Sequence, residues 1–119
     1  KVWSGNDSDL LPILALGGYG VISVAGHLVG RQIKNLIEAW NAGDARTAAA
    51  LQRRLMPLFR VLFVVSNPSP VKHALNHVGF AVGDPRLPLV PPDPKSAAQI
   101  EAVLQNCQID IALPETAAP

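Results

Sequence analysis

His73 and His77 stand four residues apart in "HALNH", a spacing that puts two imidazoles on one face of a helix. Metal ligation there would need a third ligand, and the stretch lacks the Glu of a zinc-protease helix. A solvated or packing role is therefore expected, and likewise a structural role for His27. Lys34 and Lys72 are the amines to inspect for imine chemistry, but both fall on predicted helices. A Schiff-base lysine must be buried and within reach of its substrate, so solvated heads on packed stems are expected; Lys1 carries no assignment. Cys107, the single cysteine, shares an apolar stripe with Ile100, Val103 and Leu104, which reads as a packing thiol. "GGYG" stands before its strand rather than after it, so nucleotide binding is unsupported. "LPETA" lacks the hydrophobic anchor and basic tail of a sortase signal.

The elements that must position these residues follow from periodicity. Val2 and Trp3 read as the end of a strand, and "SGND" as a loop in which Asn6 or Asp7 could cap a helix. Leu10, Leu11 and Leu14 carry that helix to a stop at Gly17-Gly18. "YGVISV" is a short continuous apolar run, the signature of a buried parallel strand. Ile33, Leu36, Ile37 and Trp40 mark the next helix, closed by Gly43. Residues 1–43 thus spell strand, helix, strand, helix, the repeating unit of a parallel α/β architecture. Asp44 then caps a long helix with Ala48, Leu51, Leu55, Leu58, Leu62 and Val65 on one face, kinked locally at Pro57. Ser69 and Pro70 start another helix, ended by Gly79. A proline-stiffened connector leads to a last helix, capped by Asp93 and running to about Cys107.

Composition narrows the function classes. The chain has 119 residues, 49% of them hydrophobic and 16% charged, with net charge +1. A folded core is expected, and the clustered basic patch of a nucleic-acid binder is absent. No apolar run approaches the roughly 20 residues of a membrane span, and no signal-peptide pattern opens the chain. The start on an apolar pair without Met suggests a fragment of a longer chain.

"SGND", "LGGYGVISV", "RLMPL…LF", "NPSPVKHAL" and "RLPLVPPD" occur in this order over nearly the whole chain to about residue 107. The set resembles the C-terminal part of the class I pyruvate aldolases, and "GVISV" with "RLPLVPP" favours their dihydrodipicolinate synthase branch. The fold this implies is α/β: residues 1–43 as the seventh and eighth βα units of a (β/α)8 TIM barrel, residues 44–110 as a small all-helical C-terminal domain, and residues 111–119 as a flexible tail. The implied activity is a lyase that condenses pyruvate with aspartate semialdehyde to 4-hydroxy-tetrahydrodipicolinate, in lysine and diaminopimelate biosynthesis. No cofactor and no metal are implied; a cytoplasmic homotetramer is. The resemblance puts the Schiff-base lysine, the catalytic tyrosine, the threonines and the carboxylate-binding arginine upstream of Lys1, so no catalytic residue is expected here and the fragment alone should be inactive without the missing N-terminal barrel half. Ile22 matches the eighth-strand isoleucine whose backbone lines the pyruvate pocket. Gly5 and Asn6 match the loop near the bound keto acid, where Asp is commoner than Asn6. The alternatives are a related aldolase of the N-acetylneuraminate lyase kind and a non-catalytic helical assembly module.

Overall fold

The computed structural model describes residues 1–113. Strand β1 (Trp3–Ser4) is followed by a 3-10 turn (Asp7–Asp9), helix α1 (Leu10–Ala15) and strand β2 (Gly20–Val21). Helices α2 (Gly26–Asn41), α3 (Ala45–Val61), α4 (Ser69–His77) and α5 (Pro94–Leu104) complete the order. The strands pair in parallel, Trp3 opposite Gly20 and Ser4 opposite Val21. Among the described residues the sheet has these two strands only.

The strand expected over "YGVISV" is therefore much shorter than read. Extent is set by a partner's ladder bonds, and β1 supplies few. Tyr19 and Ile22 still donate their N–H groups to Val2 and Ser4 carbonyls, at 2.7 and 2.9 Å, on either side of β2.

The helix stop after α1 has the bonding expected of a glycine C-cap. Gly17 takes φ 86°, its N–H reaches the Leu14 carbonyl at 3.0 Å, and the Gly18 N–H reaches that of Ile13 at 2.8 Å. A Cβ on Gly18 would lie 2.6 Å from the Ile13 carbonyl oxygen, so the second glycine is required by close approach, not by its φ. The same pair of bonds closes α2 at Gly43 and Asp44. Asp44 then accepts from the Thr47 N–H at 3.0 Å and opens α3, so one residue ends a helix and starts the next.

Two other start signals are corrected. Ser69 is the first residue of α4, with Pro68 at the cap position and Pro70 one step further in. Asn6 makes no capping bond to the 3-10 turn, and Asp7 is aimed elsewhere. At Pro57, read as a local kink, α3 continues through the proline. The break lies in α2, where Val29 has φ −133° and ψ 34°. There the Leu28 carbonyl accepts from the Asp110 N–H at 2.9 Å, and the Gln32 N–H donates to the Asp110 carboxylate at 3.0 Å. Leu28 and Gln32 would bond each other in a regular helix; Asp110 is inserted between them.

The largest helix–helix interface joins α2 to α3, and α5 packs on both α3 and α4. One buried cluster runs through the helices, with Leu10, Leu28, Leu36, Leu55, Leu58, Phe59, Leu62 and Ile100 almost wholly shielded. Of the stripe read for α3, Ala48, Leu55 and Leu58 are buried and Leu51 half-buried; the helix ends sooner than read, at Val61, with the buried Leu62 as its cap and Val65 beyond it. Truncating Leu55 to Ala would cost roughly 2–5 kcal/mol. α5 stops at Leu104, short of Cys107, which follows in a turn and is half-buried. Of the expected tail, Ile111 packs against the core, while residues 114–119 lie outside the described residues.

Candidate substrate-binding site

Because β1 and β2 are parallel, the residues that leave them emerge at one edge. Gly5 and Asn6 follow β1; Ile22 follows β2 and is tied by its N–H to the Ser4 carbonyl. The three residues singled out in the sequence are thus neighbours at the carboxyl ends of two adjacent strands. All three are exposed, Ile22 70% so. Nothing lies within 4 Å of where a Gly5 Cβ would stand, so this glycine leaves the edge open instead of fitting a tight contact. The Asn6 amide donates to the Asp9 carboxylate at 3.2 Å, and the loop is folded back by the Ser4 hydroxyl, which donates to the Asn6 carbonyl at 2.7 Å.

Asp7 is the residue that sequence reasoning missed. It is 1% exposed, and one carboxylate oxygen accepts from the Ser23 hydroxyl. The other accepts from the backbone N–H groups of Val24 and Ala25, each at 3.1 Å. Ala25 occupies the cap position of α2 and offers no side-chain acceptor; the Gly26 N–H is met locally by the Ser23 hydroxyl, while Asp7 takes the N–H groups just before the helix. From the other side, the Gln52 amide of α3 donates to the Ser8 carbonyl at 2.8 Å. Asn6, Asp7 and Ser8 line an open hollow of about 380 Å³ with Phe59, Arg60 and Phe63.

The remaining candidates lie apart from this edge. His73 is 3.0 Å and His77 3.7 Å from the same Glu101 oxygen, so the pair ties α4 to α5. Among the described residues no group of three metal-ligating side chains is placed to hold an ion. Lys34 pairs with Glu38 at 3.6 Å on the exposed face of α2, Lys72 lies on α4, and the Lys1 amine sits 4.1 Å over the Tyr19 ring. His27 is exposed in the first turn of α2. No helix among the described residues is long and apolar enough to cross a membrane.

The sequence profile of the dihydrodipicolinate synthetase family matches residues 1–107. The chain belongs to this family. Among curated family members, the 4-hydroxy-tetrahydrodipicolinate synthase of Dehalococcoides mccartyi (strain CBDB1) is 58% identical over 110 residues, 92% of this chain and 37% of the relative. The crystal structure of dihydrodipicolinate synthase from Thermotoga maritima superposes with a TM-score of 0.85 at 41% identity, covering 87% of this chain and 35% of that one. The Aquifex aeolicus enzyme gives 0.85 at 43% identity, over 88% and 36%. The chain therefore spans little more than a third of the length of the family members it matches. Those names favour neither an N-acetylneuraminate lyase nor an assembly module.

Proposed function

We propose that this chain is the C-terminal part of a 4-hydroxy-tetrahydrodipicolinate synthase, contributing the last two βα units of a (β/α)8 barrel and the helical domain that follows. The observation that carries this is the pair of parallel strands with Gly5, Asn6 and Ile22 gathered at their common carboxyl edge, where barrel enzymes hold their substrates. The bare edges of this pair, and the exposed Val2, Trp3, Tyr19 and Ile22 side chains, are what a barrel would cover with its other strands.

In the reaction, a lysine amine attacks the keto carbon of pyruvate and water leaves, giving an imine. Loss of a methyl proton yields an enamine, whose carbon adds to the aldehyde of aspartate semialdehyde. Lys34 and Lys72 are unsuited to the first step, since they stand on helices α2 and α4 rather than at the strand edge. The lysine must come from the upstream barrel half. The contribution of this segment is to shape the pocket: the Ile22 backbone faces the keto acid, and the Gly5–Asn6 loop forms the rim near the second substrate. A cytoplasmic homotetramer of the complete chain goes with this reading.

The test is borohydride trapping. The 119-residue chain incubated with pyruvate and borohydride is expected to gain no pyruvyl adduct and to condense no aldehyde. Co-refolded with the upstream barrel half, it should restore both. Capture of pyruvate on Lys34 or Lys72 of this chain alone, seen by mass spectrometry, would overturn the assignment.

A further inference from the structure

The buried Asp7 carboxylate has no work in the chemistry above, yet it is the most elaborately bonded side chain near the strand edge. Its three donors come from residues 16 to 18 positions away. A carboxylate out of water is costly unless fully hydrogen-bonded, and among the described residues no cation pairs with it. The N–H groups at the start of α2 supply the compensation, with the positive end of the helix behind them. Capping alone does not account for this arrangement. The Ser23 hydroxyl oxygen already accepts from the Gly26 N–H at 2.7 Å, a local cap that needs no buried charge. What Asp7 adds is a link between two loops, the one after β1 and the one after β2.

We propose that Asp7 is a positioning residue for the keto-acid pocket. The Ile22 carbonyl belongs to the peptide group it shares with Ser23, and Asp7 fixes that segment by the Ser23 hydroxyl and the next two N–H groups. The Ile22 N–H is fixed in turn by the Ser4 carbonyl, three residues before Asp7. Gly5 and Asn6 lie between those two anchors, and Gln52 holds the far side of the loop through Ser8. The carboxylate thus sets the aim of the Ile22 carbonyl relative to the rim. This rests on the reading of Ile22 as part of the pyruvate pocket given above.

The experiment uses the full-length enzyme that carries this segment, with Asp7→Asn and Ser23→Ala. Asn keeps one acceptor oxygen but puts an N–H₂ group against one of the present donors. A small misplacement of a substrate-facing group can cost on the order of 100-fold, and for Asp7→Asn we expect a loss of about 10- to 100-fold in kcat/KM for pyruvate and in the rate of borohydride trapping. The KM for aspartate semialdehyde should change less than the pyruvate constants. Ser23→Ala removes one bond of three and should shift the same constants less; it keeps the fold testable if Asp7→Asn proves unstable. Normal pyruvate constants in the folded variants, an equal loss for both substrates, or a lowered melting temperature alone would overturn the proposal. Wild-type enzyme that fails to trap pyruvate would instead defeat the functional reading beneath it.

Discussion

Cys107 shows how little of a residue's chemistry its type alone conveys. The thiol lies half-buried beside a groove formed with Arg54, Pro57, Leu58, Val103 and Asn106. Burial pushes its pKa up; the Arg54 charge opposes this and the Asp110 charge adds to it. Since the thiolate is the nucleophile, Cys107 should be alkylated by iodoacetamide more slowly than a cysteine in a short peptide at mildly alkaline pH. Replacing Arg54 by Gln should slow it further, by removing the one charge that favours the thiolate. Rates equal to the peptide's would mean the thiol is freely solvated. The packing role expected from its stripe was legible because Ile100 and Leu104, two turns and one turn before it, are buried. Asp7 was not, because a carboxylate in a loop looks the same whether it caps its own helix or reaches 18 residues ahead.

At the scale of elements, what could be read was what is local. The phases of α2 and α3, the glycine stops and the Asp44 and Asp93 caps all depend on residues within one or two turns of each other. The strands were over-read because their length depends on a partner, and the α2 break was invisible because its cause is Asp110, 78 positions from Gln32. Pro57, exposed on α3, reads as a local kink within a continuing helix, and α3 does run on through it. The Asp93 cap admits a test with a definite sign. The Ser96 hydroxyl donates to it at 2.6 Å, and the Lys95 and Ser96 N–H groups at 3.0 and 3.2 Å. These bonds, that of the Ser96 side chain foremost, hold its carboxyl below the ordinary 3.8. A carboxyl depressed in the folded state stabilises fully above its unfolded pKa and ceases to do so as pH falls through the folded value. Asp93→Ala should therefore lower the melting temperature near neutral pH, and the gap to wild type should narrow as the pH is taken below 3.8. A gap independent of pH would show that the charge on Asp93 contributes nothing to α5.

Over the whole molecule, the two ends of the helical array are spliced at α2. Asp110 lies beyond residues 1–107, which the family profile covers, yet it is bonded into a helix that begins shortly after β2. The junction is reinforced by side chains: the Gln32 amide donates to the Gln108 carbonyl at 2.7 Å, and Arg54 of α3 donates to the Gln32 amide oxygen at 2.8 Å. Asp110→Ala would leave the backbone bond to Leu28 in place but strip the acceptor from the Gln32 N–H. An unsatisfied, partly buried donor costs about 1–3 kcal/mol, and partial exposure of Asp110 places this case near the low end. Truncation after Cys107 removes both bonds, and then α2 has a way to recover: Val29 can turn to helical angles and let Gln32 bond Leu28 directly. The two variants therefore separate a splice from an incidental contact. In amide hydrogen exchange, the Gln32 N–H should lose protection in Asp110→Ala and regain part of it in the truncated chain, with a straightened α2. Because the break is one turn from Ala25, where Asp7 grips the start of α2, the Ala25 amide should follow the same order. Wild-type protection at Gln32 in Asp110→Ala would mean that α2 holds its kink unaided and the C-terminal segment merely rests on it.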